Sequence, residues 1–266
     1  MPSRRQAMQP SVQPESQTRA HPEQQTGEFS AVGDIPSCLA CPLHLACHCD
    51  EQSHAVQAKP VVVARRTLLR GQALFRTADA FRFAYLIVCG SFKLSRTHPS
   101  GKEHILAFPA AREVLGLDAQ SGGIYLCDAI ALEDSQVCVV SLEGLLSRCR
   151  DDQRVQEHFN TLMTRDLEDG RALSMMLSSL SAQERIAGFL CRNARHMADA
   201  GYSSKEFHLR MTREEIGNHL GMKLETVSRA LSRLHHLKIL AVHQRHVEIL
   251  NVDALQKLAG YEQHQG

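Results

Sequence analysis

The sequence predicts an α+β fold in which a small β-roll is followed by one long helix and then by a compact C-terminal domain. Three patterns support this order. Short apolar runs separated by turn residues fill residues 60–146, an apolar stripe with helical spacing follows from Val155 to Leu180, and two short amphipathic segments lie beyond it. A chain of 266 residues is long enough to bury the cores of two such domains.

The composition narrows the class of protein. No segment approaches the roughly 18 consecutive apolar residues of a membrane helix, and the polar N-terminus lacks the apolar centre of a secretion signal. We therefore expect a cytoplasmic protein without membrane contact, whose nine cysteines are metal ligands or core thiols rather than disulfides. The net charge of +1 gives no general attraction for nucleic acid. The sequence shows no nucleophile–base spacing, phosphate-binding glycine loop or paired carboxylates, so we expect no enzyme.

Changes in composition divide the chain into five segments. Residues 1–33 are rich in Gln, Pro and Ser, which predicts a disordered tail. Residues 34–58 form a cysteine-rich arm, residues 59–150 the β-roll, residues 151–181 the long helix, and residues 182–266 the C-terminal domain.

The arm carries the most specific motif, a C-x2-C-x5-C run formed by Cys38, Cys41 and Cys47. Thiolates this close together usually bind metal, and both iron–sulfur and zinc sites use them. His48 and Cys49 follow directly, and zinc accepts Cys and His alike. The arm alone therefore does not identify its metal.

The β-roll is predicted from apolar runs at residues 61–63, 85–88, 105–108 and 137–140, which Gly, Pro and Asp turns separate. Many short strands with closely spaced turns are typical of a small closed roll or barrel.

The long helix carries more apolar surface than one β-roll can cover, so its stripe favours a dimerisation seam. Asp166, Asp169 and Gly170 interrupt the stripe. The two acids form either a solvated edge of the helix or a pair of charges that oppose their own copies and weaken the dimer. The residues we expect at the seam are Phe159, Met163, Leu167, Leu173, Leu177 and Leu180.

A helix-turn-helix is predicted in the C-terminal domain. Thr212 and Glu215 fit a capping box, so a helix should begin at about Arg213, and Gly221 should form the turn before a second helix over residues 223–237. One face of that helix is apolar, with Leu224, Val227, Leu231 and Leu234, and the other is polar, with Glu225, Thr226, Ser228, Arg229 and Ser232.

The polar face has the chemistry needed to contact base edges in a major groove. Arg can bind guanine, Glu can accept from cytosine, and Ser can adapt to either. The simpler alternative is that Glu225 and Arg229 form a surface ion pair at i,i+4 spacing. Residues 240–250 read as a hairpin, which would add a wing, and the expected phosphate contacts are Lys223, Arg233 and Arg245.

Arm, roll, long helix and winged helix-turn-helix in this order resemble the CRP/FNR superfamily of bacterial transcription regulators over about residues 38–260, and most of all its oxygen-responsive FNR type. The roll would then be of the cupin-like, cyclic-nucleotide-binding type. The resemblance rests on the cysteine run, on Cys138, and on residues 116–119 (Gly-Leu-Asp-Ala) and 224–229 (Leu-Glu-Thr-Val-Ser-Arg).

The resemblance implies that Cys38, Cys41, Cys47 and Cys138 ligate a [4Fe-4S] cluster that is preserved at low oxygen. It further implies a homodimer that binds double-stranded DNA at TTGAT-N4-ATCAA-type sites through Glu225, Ser228 and Arg229, contacts RNA polymerase, and activates or represses genes of anaerobic metabolism. Without the resemblance, Cys138 would be read as a small buried hydrophobe in a strand. Cys89, Cys127, Cys149 and Cys191 are expected to be core or surface thiols.

Three other functions stay open at this point. A cyclic-nucleotide-dependent regulator needs an arginine for the phosphate, but the corresponding stretch is Cys127-Asp128-Ala129, so we expect no cyclic nucleotide. A zinc-dependent regulator would use the arm only as a structural clamp. An electron-transfer iron–sulfur protein would not need a polar face on the second helix.

Overall fold

The computed structural model describes residues 41–47, 60–120 and 122–260. The predicted tail 1–33 and most of the cysteine arm, including Cys38, His48 and Cys49, lie outside the described residues. In the described part, no helix is long and apolar enough to cross a membrane.

The β-roll consists of two antiparallel four-stranded sheets, ordered β1-β8-β3-β6 and β2-β7-β4-β5. All four predicted apolar runs overlap strands of this roll. The strands are β1 (Val62–Leu68), β2 (Ala73–Phe75), β3 (Ala84–Cys89), β4 (Phe92–Thr97), β5 (Glu103–Ala107), β6 (Val114–Leu115), β7 (Asp128–Ala131) and β8 (Ser135–Val140).

Side-chain alternation along β8 gives the strand two buried faces. Val137 and Val139 point into the roll, where Phe75 and Tyr125 stack with ring centroids 4.0 Å apart. Cys138 and Val140 point to the other side, into a second apolar cluster. Successive strand residues face opposite ways, so Cys138 lies outside the roll.

Three helices cover this outer face. Helix α1 (His44–Cys47) belongs to the cysteine arm, and α2 (Leu142–Asp151) and the start of α3 (Gln153–Ser179) follow the roll. The Ser141 side chain caps α2, a helix that the apolar pattern did not predict. The Asp152 side chain then accepts a hydrogen bond from the Arg154 amide and starts α3. The long helix predicted over residues 151–181 is therefore present as α3, which starts two residues later and ends two residues earlier than predicted.

Helix α3 is mostly exposed, and its two ends pack on different parts of the chain. Phe159 and Leu162 lie against the cluster outside the roll, whereas Leu173 and Met176 lie against the C-terminal core. Gly188 permits the second contact, since a Cβ there would stand 2.8 Å from the Met176 Cε.

The C-terminal domain is a winged helix-turn-helix, as predicted. Thr212 and Glu215 form the expected capping box, and Gly221 takes a positive φ of 64° in the turn. The predicted hairpin is present, with β9 as a third strand that the sequence pattern did not indicate. The elements are α4 (Ala182–Asp199), β9 (Glu206–His208), α5 (Arg213–His219), α6 (Leu224–His236), β10 (Leu240–His243), β11 (His246–Ile249) and α7 (Val252–Leu258).

Helix α5 is hydrogen-bonded directly to the β-roll. Asn218 accepts from the Ile105 amide at 2.8 Å and donates to the Glu103 carbonyl at 2.8 Å. Lys93 lies 3.2 Å from both Glu103 and Glu215, so one ammonium bridges the roll and α5. These contacts orient the helix-turn-helix against the sheet β2-β7-β4-β5.

His219 completes this interface and is 6% exposed. Its Nδ1 lies 3.2 Å from the Ile105 carbonyl oxygen, to which it donates, and its ring packs edge-on against Phe108. Burial lowers the pKa of His219 to about 4, from an ordinary value of 6.5.

We predict that His219 makes the stability of the protein fall in acid. In the unfolded chain the His219 imidazole is protonated as the pH falls below about 6.5, whereas in the folded chain it is protonated only near pH 4. The stabilisation is therefore complete above pH 6.5 and is lost as the pH falls toward 4, by about 2 kcal/mol between about pH 7 and pH 5. Urea unfolding at both pH values measures it. Between the two pH values, the free energy of unfolding of His219→Gln should fall by about 2 kcal/mol less than that of wild type. His243→Gln changes an exposed position, and its free energy of unfolding should fall as much as that of wild type. Equal losses in all three proteins would contradict this account.

Candidate functional site

Helix α6 presents one buried and one open face. Val227, Ala230, Leu231 and Leu234 are buried in the C-terminal core. Leu224 is 45% exposed, so its predicted place on the buried face was wrong. It is the first residue of α6, next to the turn at Gly221.

The open face holds the residues predicted to contact bases. Glu225, Arg229 and Ser232 are exposed, whereas Thr226 and Ser228 are half-buried. No ion pair within 4.0 Å joins Glu225 to Arg229 in the described chain; instead the Arg229 Nη2 lies 3.4 Å from the Thr226 Oγ1. The guanidinium and the carboxylate are therefore both available to a ligand.

Ser228 is less available than the pattern indicated, because its Oγ accepts a hydrogen bond from the Arg213 Nη1 at 3.2 Å. Sequence reasoning used Arg213 only as the start of a helix. In the structure it sits at the N-terminal end of α5 and reaches across to α6. Its position directly after the N-cap Thr212 was the one signal that could have identified it.

The three cations predicted to contact phosphates are all exposed. Lys223 and Arg233 are exposed at the start and within the third turn of α6, and Arg245 is exposed at the tip of the β10–β11 hairpin, where it donates to the Arg210 carbonyl at 3.2 Å. Lys223 is the N-cap of α6 and makes no side-chain capping bond, as its side chain predicts.

Of the two described cysteines of the arm, Cys41 shares an apolar cluster with Cys138. Cys47 is exposed at the end of α1. Leu43 and Ala46, 2% and 3% exposed, fix the arm segment to this cluster. The Leu43 amide donates to the Cys41 Sγ at 3.3 Å, a contact that stabilises negative charge on sulfur.

Cys138 is 7% exposed, and in β-sheet register it pairs with Arg65 on one side and Leu86 on the other. Paired residues share a sheet face, so Arg65, itself only 6% exposed, carries its charge on the face that Cys138 occupies. Sequence reasoning did not single out Arg65, since an arginine in a strand is usually solvated.

The arm is also bonded to the long helix. The His158 Nε2 donates to the Pro42 carbonyl, and Phe159 packs on the cluster that Leu43 enters. The arm, the strand that carries Cys138 and the first turns of α3 therefore form one packed unit.

The remaining described cysteines behave as core or surface thiols. Cys127 and Cys149 are buried, Cys191 is half-buried and Cys89 is exposed. Burial raises the pKa of Cys191 to about 11 and that of Cys149 above its ordinary value, so both stay protonated and unreactive at neutral pH.

The place where an arginine would hold a cyclic phosphate contains an acid instead. Asp128 accepts hydrogen bonds from the Thr77 amide and hydroxyl at 2.8 Å and from the Arg76 Nη1 at 2.9 Å. Burial alone would raise the pKa of Asp128, but these bonds hold it below its ordinary value. The carboxylate stays negative and would repel a phosphate there.

The residues predicted at the dimer seam differ in how exposed they are in the single chain. Leu167 and Leu177 are exposed, and Met163 and Leu180 are half-buried, whereas Phe159 and Leu173 pack partly within the chain. Asp169 forms an ion pair within the chain: its Oδ2 lies 3.1 Å from the Arg192 Nη2 of α4, and its side chain is 39% exposed.

Comparisons with known proteins agree with this architecture. Residues 184–258 match the Crp-like helix-turn-helix domain, and residues 65–152 match the cyclic nucleotide-binding domain. The chain is 34% identical over 205 residues to the fumarate and nitrate reduction regulatory protein of Escherichia coli (strain K12), covering 77% of this chain and 82% of that protein. It is 33% identical over 231 residues to the transcriptional regulatory protein btr of Bordetella pertussis, covering 86% of this chain and 96% of that protein.

Among solved structures, FixK2 from Bradyrhizobium japonicum matches with a TM-score of 0.67 and 27% identity over 74% of this chain and 97% of FixK2. A β-roll, a long helix and a winged helix-turn-helix define a DNA-binding, dimerising transcription regulator rather than an enzyme. The chain belongs to the CRP/FNR family of transcription regulators. The predicted α+β fold and family resemblance are thus confirmed.

We predict different effects for two arginines of α6. Arg229→Ala should reduce discrimination at one guanine of the half-site by about 1–3 kcal/mol, because a bidentate contact is lost. Arg233→Ala should weaken binding equally for all sequences and reduce the dependence on salt by about one phosphate contact. Fluorescence anisotropy with matched and guanine-substituted duplexes at several salt concentrations separates the two. If Arg229→Ala distinguishes the matched duplex from the guanine-substituted duplex as well as wild type does, Arg229 does not contact that base.

We further predict that Leu167→Asn weakens the dimer at least about tenfold, because Leu167 is 59% exposed in the single chain and its burial by a partner is worth about 1.5–3 kcal/mol. Sedimentation equilibrium measures the monomer–dimer constant. Arg165→Gln, about 200° around the helix, is the matched control and should leave the constant unchanged. A wild-type constant in Leu167→Asn would place the seam elsewhere.

Proposed function

We propose that this protein is an oxygen-responsive transcription regulator that binds a [4Fe-4S] cluster through Cys38, Cys41, Cys47 and Cys138 and controls genes of anaerobic metabolism. The observation that carries the proposal is the direction of Cys138. It faces away from the roll interior and into the cluster on which Cys41 and the arm pack.

The donor set suits this cofactor. Soft thiolates are the ligands that iron–sulfur clusters use, and the described sulfurs of Cys41 and Cys138 approach one apolar cluster from two separate elements. The amide of Leu43 and the nearby charge of Arg65 favour negative charge at such a centre. When bound, the cluster would supply oxygen-labile iron–thiolate bonds.

The contacts of the arm suggest how its position affects dimerisation. Leu43 and Ala46 bury their side chains against the roll, and Pro42 accepts a hydrogen bond from His158 of α3. An arm held in place therefore buttresses the first turns of α3. A released arm removes that hydrogen bond and uncovers Phe159, which loosens the start of the helix that forms the seam.

DNA recognition would follow from the open face of α6. In this proposal Glu225, Ser228 and Arg229 contact the bases of a TTGAT-type half-site, and a dimer binds the inverted pair. Lys223, Thr226 and Arg233 lie at the edge of that face and would contact the backbone. Activation would require contact with RNA polymerase, and the protein would act in the cytoplasm.

The direct test is the iron, sulfide and zinc content of protein purified without oxygen, together with its visible spectrum before and after air is admitted. We expect about four irons and four sulfides per chain, since four thiolates ligate one cluster of this type, and a broad absorption that changes in air. Colourless protein that contains zinc, with DNA binding unaffected by air, would replace the proposal with a zinc-clamped regulator.

A matched pair of cysteine variants tests the ligand assignment. Cys138 and Cys149 are both buried in the cluster outside the roll, so removing either sulfur costs similar packing. We expect Cys138→Ala to lose the iron and the response to air, and Cys149→Ala to retain both. A four-iron spectrum in Cys138→Ala, or equal loss in the two variants, would contradict the assignment.

A further inference from the structure

Glu113, Asp169 and His196 meet at the junction of the three parts of the molecule. Glu113 precedes β6 of the roll, Asp169 lies in α3, and His196 lies in the last turn of α4. One ligand atom from each residue lies within 4.8 Å of the other two, and the His196 Nδ1 is 3.4 Å from the Glu113 Oε2. All three side chains are half-buried.

The carboxylates are held in place yet keep acceptor atoms available. The Glu113 Oε2 accepts the Ala110 amide at 2.6 Å, and the Asp169 Oδ2 pairs with Arg192 at 3.1 Å. Among the described residues, neither the Glu113 Oε1 nor the Asp169 Oδ1 has a hydrogen-bond partner. Each carboxylate thus offers one oxygen whose lone pairs are unused.

Negative charge exceeds positive charge around this junction. Burial raises the pKa of Glu113, and the nearby Asp169 opposes its ionisation further, while His196 and Arg192 favour it. Burial also raises the pKa of Asp166, to which Asp118 and Asp169 contribute repulsion. In the described chain, these acids interact with one another and with Arg192 and His196, an arrangement that a dication would stabilise.

From this geometry we infer a divalent transition-metal site formed by Glu113, Asp169 and His196. One imidazole and two carboxylates are a donor set for Mn²⁺, Fe²⁺ or Zn²⁺, and water or a fourth group would complete the coordination. The site is separate from the cysteine arm, contains none of its residues and does not depend on the oxygen response proposed above.

Metal at this site would join the roll, the long helix and the DNA-binding domain. Each ligand comes from a different part of the chain, so the bound ion stabilises the one relative arrangement in which the three meet. Arg192 pairs with the other oxygen of Asp169, and its positive charge opposes the bound ion. Occupancy therefore favours the arrangement described here over any in which α4 has moved from α3.

Mn²⁺ is the best probe, because it prefers oxygen and nitrogen ligands and leaves the thiolates of the arm aside. Titration of the full chain with MnCl₂, followed by the electron paramagnetic resonance signal of free Mn²⁺, gives the number and affinity of sites. We expect one site per chain. Asp169→Asn and His196→Gln should each weaken it at least about tenfold, the loss expected when one ligand is removed.

Two neighbouring acids serve as matched controls. Glu168→Gln and Asp199→Asn lie beside the ligands on α3 and α4 but are exposed, and both should bind Mn²⁺ as wild type does. Arg192→Gln removes the opposing positive charge and should bind at least as tightly as wild type, a result that a purely structural role of the cluster would not produce. Unfolding curves verify that each variant is folded.

The inference is overturned if wild-type protein binds no Mn²⁺, or if binding survives unchanged in both Asp169→Asn and His196→Gln. It is also overturned if Glu168→Gln loses binding to the same extent, because the effect would then be general electrostatics rather than ligation.

Discussion

The guanidinium of Arg185 fixes the orientation of the DNA-binding domain relative to the long helix. Its Nε donates to the Leu180 carbonyl at 2.9 Å, its Nη2 to Leu177 at 2.8 Å, and its Nη1 to Leu220 at 3.0 Å. The carbonyls of Leu177 and Leu180 end α3, and that of Leu220 ends α5. Carbonyls at helix C-termini lack partners within their own helix, so one planar cation satisfies two helix ends at once. The angle between α3 and the helix-turn-helix follows from this geometry.

The connection between α3 and α4 is too short to let the DNA-binding domain move freely relative to the long helix. Leu180 and Ser181 alone separate α3 from α4, and Ser181 forms a capping box with Glu184 one residue before Arg185. The roll reaches the same domain through Asn218 and Lys93. The β-roll, the long helix and the DNA-binding domain are thus joined by polar bonds of defined direction. A change in one of them is transmitted to the others through packed elements rather than a loose linker.

Local patterns in the sequence were sufficient to predict the elements and their order. The capping box at Thr212, the turn at Gly221 and the apolar face of α6 depend on residues within four positions of one another, and all three are present. Alternation along β8 likewise separates Cys138 from Val137 and Val139. The failures concern contacts over longer distances. Leu224 has the right spacing but remains exposed at the start of α6.

Other features of the site depend on tertiary packing that no local pattern records. Three such contacts join elements that are far apart in sequence. Asp169 pairs with Arg192, Asp169 also lies near Glu113, and Arg65 is buried on the sheet face that carries Cys138. Polar residues at such positions look like ordinary surface residues until the fold brings them together. The residues predicted to contact bases were easier to find, since an open face on a helix is itself a local pattern.

The two ends of α3 pack against different parts of the molecule, so the helix can transmit a movement from one end to the other as a rigid rod. Its 27 residues span about 40 Å at 1.5 Å per residue. Phe159 and His158 engage the cysteine arm at one end, and Leu173 and Met176 engage the DNA-binding core at the other. A tilt of about 5° at the arm end would displace the far end by about 3.5 Å, more than half of one helical turn. A small change in packing beside Cys138 therefore produces a larger displacement at the other end of α3, next to the DNA-binding domain.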